Sequence, residues 1–316
     1  MLRIIPGLLA VVLLALGAAS PALADNYDIT LLSHPEGGQP IARGINDSGL
    51  VVGDYYKNSQ DFGFIYNSAA QTYNTFQYSN YRTAATGIND SGQVVGTYNS
   101  PYAHGFLKTG DTYNQIFYPG SIYTSAEGVN DSGQVVGYYY LGGGHGFVYT
   151  PGAGGGYTSL NVPGATSTSA YGINNAGQVV GYYKMGTVGH GFLYTPGPGG
   201  GAYTTLDFPG SAFTRVFDIN DVGQIVGEYS YADGYSHGFI YDGVTFTPFD
   251  VDLLGTGHTT ITGINNSGVM VGGYSHGQAY GFLATPSAPV PAPGSLLLLS
   301  SGLLGLALAG RKLRKS

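Results

Sequence analysis

The chain has no cysteine, and only 9% of its 316 residues are charged. Without cysteine the fold uses no disulfides, so backbone pairing and apolar burial must hold it together. Lysine and arginine number 11 against 18 acidic residues, and five of the basic ones (Arg3, Arg311, Lys312, Arg314, Lys315) lie at the two ends. Residues 25–285 therefore carry six basic against eighteen acidic side chains, a balance of −12. Such a body is repelled by phosphate backbones, which argues against nucleic acid as a partner. Long apolar runs occur only at the ends, and nothing between them reads as a convincing helix.

What the chain has in abundance is glycine (54 residues) and tyrosine (28), arranged in a repeat. The stretch Gly87-Ile88-Asn89-Asp90-Ser91-Gly92-Gln93-Val94-Val95-Gly96 returns in close copies, with its first asparagine at Asn46, Asn89, Asn130, Asn174, Asn220 and Asn265. A period in the forties is the signature of a propeller or solenoid array. Each unit holds four short segments rich in aromatic and β-branched residues and bounded by Gly, Pro, Asn or Asp, which read as strands. In the fourth copy they are residues 169–173, 178–183, 190–194 and 203–208.

The Asn-Asp-Ser-Gly turns join the first two strands, with Gly in the left-handed conformation that closes a hairpin with a bulge. A second glycine follows Val-Val or its equivalent at Gly53, Gly96, Gly137, Gly181, Gly227 and Gly272, where close approach of a neighbouring sheet is expected. The third strand always offers an aromatic anchor: Phe64, Phe106, Phe147, Phe192, Phe239 and Phe282.

Fourth-strand copies begin near Tyr27, Tyr73, Tyr113, Tyr157, Tyr203 and Phe246, so the first precedes the first hairpin and the last unit ends after its third strand. One closed ring uses every strand, whereas an open solenoid has no use for matched ends. The expected fold is all-β: a six-bladed β-propeller of ~44-residue four-stranded repeats over 25–285.

The ends read as targeting segments. Residues 1–24, a charged head, an apolar run from Ile4 to Ala18 and the small-residue site Ala22-Leu23-Ala24, form a secretory signal cleaved after Ala24. Residues 286–293 are a Pro/Ala linker. Within 294–316, the apolar run Gly294 to Gly310 spans roughly 26 Å as a helix, enough to cross a bilayer core, and four positive charges in the last six residues would stay cytoplasmic.

The tail, with Val290-Pro291-Ala292-Pro293, a short transmembrane run and a basic end from Arg311, resembles the PEP-CTERM sorting signals of Gram-negative bacteria, with Ala292 where that family usually has Glu. The resemblance implies export through the inner membrane, an exosortase-type processing partner, transient anchoring by the C-terminal helix, and a final place at the cell surface or in the extracellular matrix. The body, with His104-Gly105-Phe106, His145-Gly146-Phe147, His190-Gly191-Phe192 and His237-Gly238-Phe239, resembles the HAF-type extracellular repeat proteins. In the first and last copies Phe62 and Tyr280 replace the histidine. This second resemblance implies a repeat and carries no chemistry.

Candidate chemistry is sparse. The repeated histidines could ring a channel, but their replacement by Phe62 and Tyr280 favours packing. The Asn-Asp-Ser-Gly turns could hold calcium, yet they lack a third carboxylate and a bidentate Glu. Gly234-Tyr235-Ser236-His237-Gly238 and Gly273-Tyr274-Ser275-His276-Gly277 match a nucleophile-elbow pattern but fall between strands, where that motif has no meaning. Doubled tyrosines such as Tyr55-Tyr56, Tyr138-Tyr139-Tyr140 and Tyr182-Tyr183 must bury one side; the other could present flat rings to glycans or protein loops, with core or rim packing the favoured role. Positions where one copy departs from its siblings are the better functional candidates: Asp54 and Glu228, where other copies carry Thr97, Tyr138, Tyr182 or Gly273, and Asp218, which replaces a glycine.

No catalytic residue, metal ligand or cofactor site is assigned; calcium is the one cofactor left open. The uniform repeat points to a non-enzymatic binding or structural module, and the resemblance of the tail to a sorting signal implies exopolysaccharide or envelope proteins as its ligand. The alternative is a polysaccharide lyase or hydrolase using Asp54, Asp218 or Glu228 on the same scaffold.

Overall fold

The computed structural model describes residues 26–287, apart from Asp233, Leu254 and Thr256. Every regular element among them is a strand. The chain opens with β1 (Tyr27–Leu31) and continues through β2 (Ile41–Ile45), β3 (Leu50–Lys57), β4 (Gln60–Asn67) and β5 (Thr72–Phe76). Next come β6 (Thr83–Ile88), β7 (Val94–Asn99), β8 (Ala103–Thr109) and β9 (Thr112–Ile116), then β10 (Tyr123–Val129), β11 (Val135–Tyr140), β12 (Gly144–Thr150) and β13 (Gly156–Leu160). They are followed by β14 (Ser167–Ile173), β15 (Val179–Met185), β16 (Val188–Thr195) and β17 (Ala202–Leu206), and by β18 (Phe213–Ile219), β19 (Ile225–Ser230), β20 (Ser236–Tyr241) and β21 (Phe246–Phe249). The last three are β22 (His258–Ile264), β23 (Met270–His276) and β24 (Gln278–Pro286).

These strands form four sheets of four strands and one of eight. The eight-stranded sheet consists of two antiparallel meanders, β10–β13 and β14–β17, touching through a single parallel pair, Gly144 with Ser167. The sheets are arranged as a β-propeller around a central channel. The leftover N-terminal strand is seated in the last sheet, where β1 runs antiparallel to β24 from Tyr27↔Pro286 to Leu31↔Phe282. Pro286, assigned to the linker on sequence grounds, is thus the final residue of that strand.

Each repeated phenylalanine is fully buried, and aromatic pairs such as Phe147 with Tyr157 (centroids 5.6 Å apart) extend the core outward along each sheet. A buried side chain of this size contributes roughly 1.5–3 kcal/mol, so six in register outweigh much of the ordering cost of a loop-rich chain. The glycine after Val-Val has a different reason from the one expected. A Cβ at Gly53 would stand 1.9 Å from the Ile41 carbonyl oxygen and 2.8 Å from the Phe64 ring, both in its own sheet. Close approach between neighbouring sheets falls at other glycines: a Cβ on Gly281, between Tyr280 and Phe282, would meet the Pro40 carbonyl at 2.5 Å.

Candidate site in the central channel

The innermost strand of every repeat has a β-bulge at one place. The register slips between Ala42 and Gly44, Ala85 and Gly87, Ala126 and Gly128, Ala170 and Gly172, Val216 and Asp218, and Ile261 and Gly263. A bulge leaves its extra residue out of the ladder and re-aims that side chain. The residues so released, three before each repeated asparagine, are Arg43, Thr86, Glu127, Tyr171, Phe217 and Thr262, and all six line one cavity of about 340 Å³ on the channel axis. The glycine after the bulge lets adjacent inner strands close in: a Cβ on Gly87 would stand 2.7 Å from the Glu127 carbonyl and 3.2 Å from the Gly128 Cα.

Tyr138, from β11, adds to the wall. Its ring lies edge-on to Tyr171 at 6.3 Å and 82°, and Tyr171 meets Phe217 at 5.5 Å, giving one continuous aromatic side. Beside it Glu127 accepts a short hydrogen bond from Ser125 Oγ. Burial pushes the Glu127 carboxyl up to about 7, against the pull of Ser125 and Arg43, and its charge together with burial raises the Tyr138 hydroxyl. Arg43 Nε is held by Asp54 at 2.5 Å.

The opposite end of the channel is built by the repeat itself. Each asparagine accepts a bond at Oδ1 from the backbone N–H four residues on, at 2.8–3.0 Å, closing its own turn. Its Nδ2 donates to the backbone carbonyl of the asparagine in the next copy at 2.9–3.3 Å, and Asn265 returns to Asn46. A second ring runs outside it: the backbone N–H of each following residue donates to the side chain at the same place in the next copy, through Asp47, Asp90, Asp131, Asn175, Asp221 and Asn266. Asn175 Nδ2 bridges Asp131 and Asp221, and Asn266 Nδ2 bridges Asp47 and Asp221. Between this end and the cavity lies an apolar collar of Ile45, Ile88, Val129, Ile173, Ile219 and Ile264.

The residues singled out by sequence fall apart spatially. Asp54 and Glu228 sit on second strands and do not line the cavity. Asp54 is paired with Arg43; Glu228 accepts from Arg215 at 3.2 Å and from Thr260 Oγ1 at 2.7 Å. Asp218 does line the cavity, but its two oxygens accept the backbone N–H groups of Ile219 (2.9 Å) and Ile264 (3.0 Å), and burial pushes its carboxyl up to about 7. The four repeated histidines lie on third strands and do not ring the channel. Each stacks on a second-strand tyrosine, as His190 does on Tyr183 at 5.1 Å, and His190 and His237 also meet Asp207 and Asp250.

Both nucleophile-elbow matches lie at β-hairpins, β19–β20 and β23–β24. Among the described residues no group of three or more His, Asp or Glu is placed to hold a metal ion. The doubled tyrosines alternate: Tyr55, Tyr139 and Tyr183 are buried while Tyr56 is 55% exposed and Tyr138 turns to the cavity. Ala24, Pro291, Ala292, Pro293 and Arg311 lie outside the described residues, and among those described no helix is long and apolar enough to cross a membrane.

Sequence reasoning missed Arg43, Thr86, Glu127, Tyr171, Phe217 and Thr262, and held Tyr138 only as one of the doubled tyrosines. The signal was present: three residues before the repeated asparagine there is no consensus residue at all.

The two faces of the propeller also differ. The second-to-third-strand hairpins and the connections into each innermost strand share the face toward which the cavity lies. Twelve of the fourteen exposed large hydrophobic residues among those described are on it, including Tyr56, Tyr102, Ile122, Tyr140 and Tyr231; only Val222 and Val244 are on the asparagine side.

No protein-family model and no curated protein matches the chain. Among solved structures it is similar to TolB from Acinetobacter baumannii, with a TM-score of 0.51 at 11% identity, covering 72% of this chain and 60% of that one. It is also similar to a gluconolactonase from Xanthomonas campestris, with a TM-score of 0.53 at 10% identity, covering 84% of this chain and 91% of that one. The chain thus spans 60% of the TolB length. At these identities the likeness is one of fold, the β-propeller.

Proposed function

We propose that the protein is an exported six-bladed propeller, the eight-stranded sheet counting as two blades, that serves as a non-enzymatic binding module at the cell surface or in the extracellular matrix. Its ligand is a saccharide unit of an envelope polysaccharide, held in the channel cavity. One observation carries this reading: six inner-strand bulges at equivalent positions aim side chains of five different kinds into a single cavity. A device that only packed the ring would repeat one residue type there, as the asparagine end does.

The chemistry suits a sugar. An aromatic wall of Tyr138, Tyr171 and Phe217 offers flat faces to the C–H side of a pyranose, and Glu127, Thr86 and Thr262 offer polar atoms to its hydroxyls. The exposed tyrosines on the same face give further units of a chain somewhere to lie. Hydrolysis by paired carboxylates is less well supported, because Asp54 and Glu228 do not line the cavity and are paired with Arg43 and Arg215, and both Asp218 oxygens are bonded to backbone.

Export and processing rest on the two terminal segments and their resemblance to a sorting signal, with an exosortase-type enzyme as partner acting near Pro291 and Pro293. The direct test is a glycan array probed with the purified full chain. Binding to polysaccharide fragments that disappears in Tyr171→Ala is expected, and an empty array would refute the saccharide reading.

A further inference from the structure

Accepting a saccharide in the cavity, the charges around it narrow its class. Each arginine near the channel pairs one nitrogen with a carboxylate: Arg43 Nε with Asp54, and Arg215 Nη1 with Glu228. Asp218 is occupied by two backbone N–H groups. Glu127 is different. Oε1 accepts from Ser125, while Oε2 has no hydrogen-bond donor among the described residues, on a side chain that its bulge points into the cavity. The local balance is therefore a carboxylate still able to take a charged donor, set beside an aromatic wall.

Of that wall, Phe217 already lies against one cation, which Tyr182 and Phe213 share from outside the cavity lining. The Arg215 guanidinium lies 5.7 Å from the Phe217 ring centroid, 5.1 Å from Tyr182 and 5.0 Å from Phe213. Aromatic faces combined with a carboxylate form the arrangement that recognises an ammonium group, by cation–π attraction and a charge-assisted hydrogen bond. An acidic sugar would instead meet the Glu127 carboxyl, on a body of net charge −12 that draws cations to its surface.

We infer that the cavity selects an amino sugar with a free ammonium, which donates to Glu127 Oε2 while its ring lies against Tyr138, Tyr171 and Phe217. Thr86 and Thr262 face the bound unit from the remaining blades, although Oγ1 of each already donates to a backbone carbonyl, at 2.8 Å to Ala126 and 2.9 Å to Ala42. They are left as acceptors for its hydroxyls.

The test is calorimetric titration of the full chain, near neutral pH, with three oligosaccharides of equal length: glucosamine, N-acetylglucosamine and glucose. Glucosamine is expected to bind about tenfold more tightly than the other two. Glu127→Gln should bring the three affinities together while its melting curve shows a folded protein, and Tyr171→Ala should weaken all three. Equal affinities in the wild type, lost in Tyr171→Ala, would overturn the ammonium inference and leave the saccharide reading in place. A preference for glucosamine that survives in Glu127→Gln would overturn the role of that carboxylate. No binding of any of the three would overturn both.

Discussion

The two ends of the channel are made from the same six strands, and they follow opposite rules. At one end the side chain is asparagine in every copy, because each must both close its own turn and reach the backbone of the next copy; no other residue type supplies that acceptor and donor at that length. Three residues earlier the same strands carry Arg, Thr, Glu, Tyr, Phe and Thr. Sameness marks the positions that hold the ring, and variety marks the positions the ring holds out for something else. The bulge separates the two regimes, since it frees one residue per strand from the ladder without disturbing the asparagine that follows.

The largest expected effect comes from breaking the ring itself. Deleting Tyr27–Leu31 leaves the edge of β24 unpaired and removes the Tyr27 ring that sits edge-on to Phe249 at 5.3 Å. Of the changes named here it should lower the melting temperature most, and a melt close to that of the intact chain would show that closure does not depend on this strand. Phe192→Ala should come next, with a loss of roughly 3–5 kcal/mol in denaturant unfolding, because the ring fills a site with no measurable exposure.

Smaller, and opposite in sign, is Glu127→Gln. The folded state holds the Glu127 carboxyl up to about 7, with Arg43 and Ser125 pulling it down and burial pushing it up. A raised acid binds its proton more tightly folded than unfolded. Its contribution to stability is therefore full below the ordinary carboxyl range and is lost as pH rises through about 7. The variant should melt higher than the wild type at pH 8 and alongside it at pH 4. A difference that does not change with pH would mean that Glu127 is not buried in the way described. Asp218 shares this behaviour, so part of the pH slope should survive in the variant.

Much of the fold was legible because the repeat announces itself: the asparagine spacing gives the units, the Phe of His-Gly-Phe gives the core, and the unmatched Tyr27 strand points to its partner beside Phe282. The site was harder to read. Asp54 and Glu228 stand out from their sibling positions, yet the residues that explain them, Arg43 and Arg215, lie one strand away and neutralise them. The cavity-lining position has no consensus from which a single copy could depart, so nothing in any one copy marks it. Nor does alternation along a strand show which residue a bulge will release. Ala-x-Gly-Ile-Asn reads as an ordinary run until the register shows that x is the extra residue.

The most direct test sets Asn174→Ala, just past the end of β14, against Tyr171→Ala, three residues earlier on that strand, measuring thermal unfolding and retention on an immobilised hexosamine polymer for each. Asn174→Ala is predicted to lower stability by roughly 1–3 kcal/mol while the folded protein still binds. Tyr171→Ala is predicted to leave the melt near that of the wild type and lose retention. The reverse pattern, or loss of both properties in both variants, would contradict the division of the channel into an end that holds the ring and an end that binds.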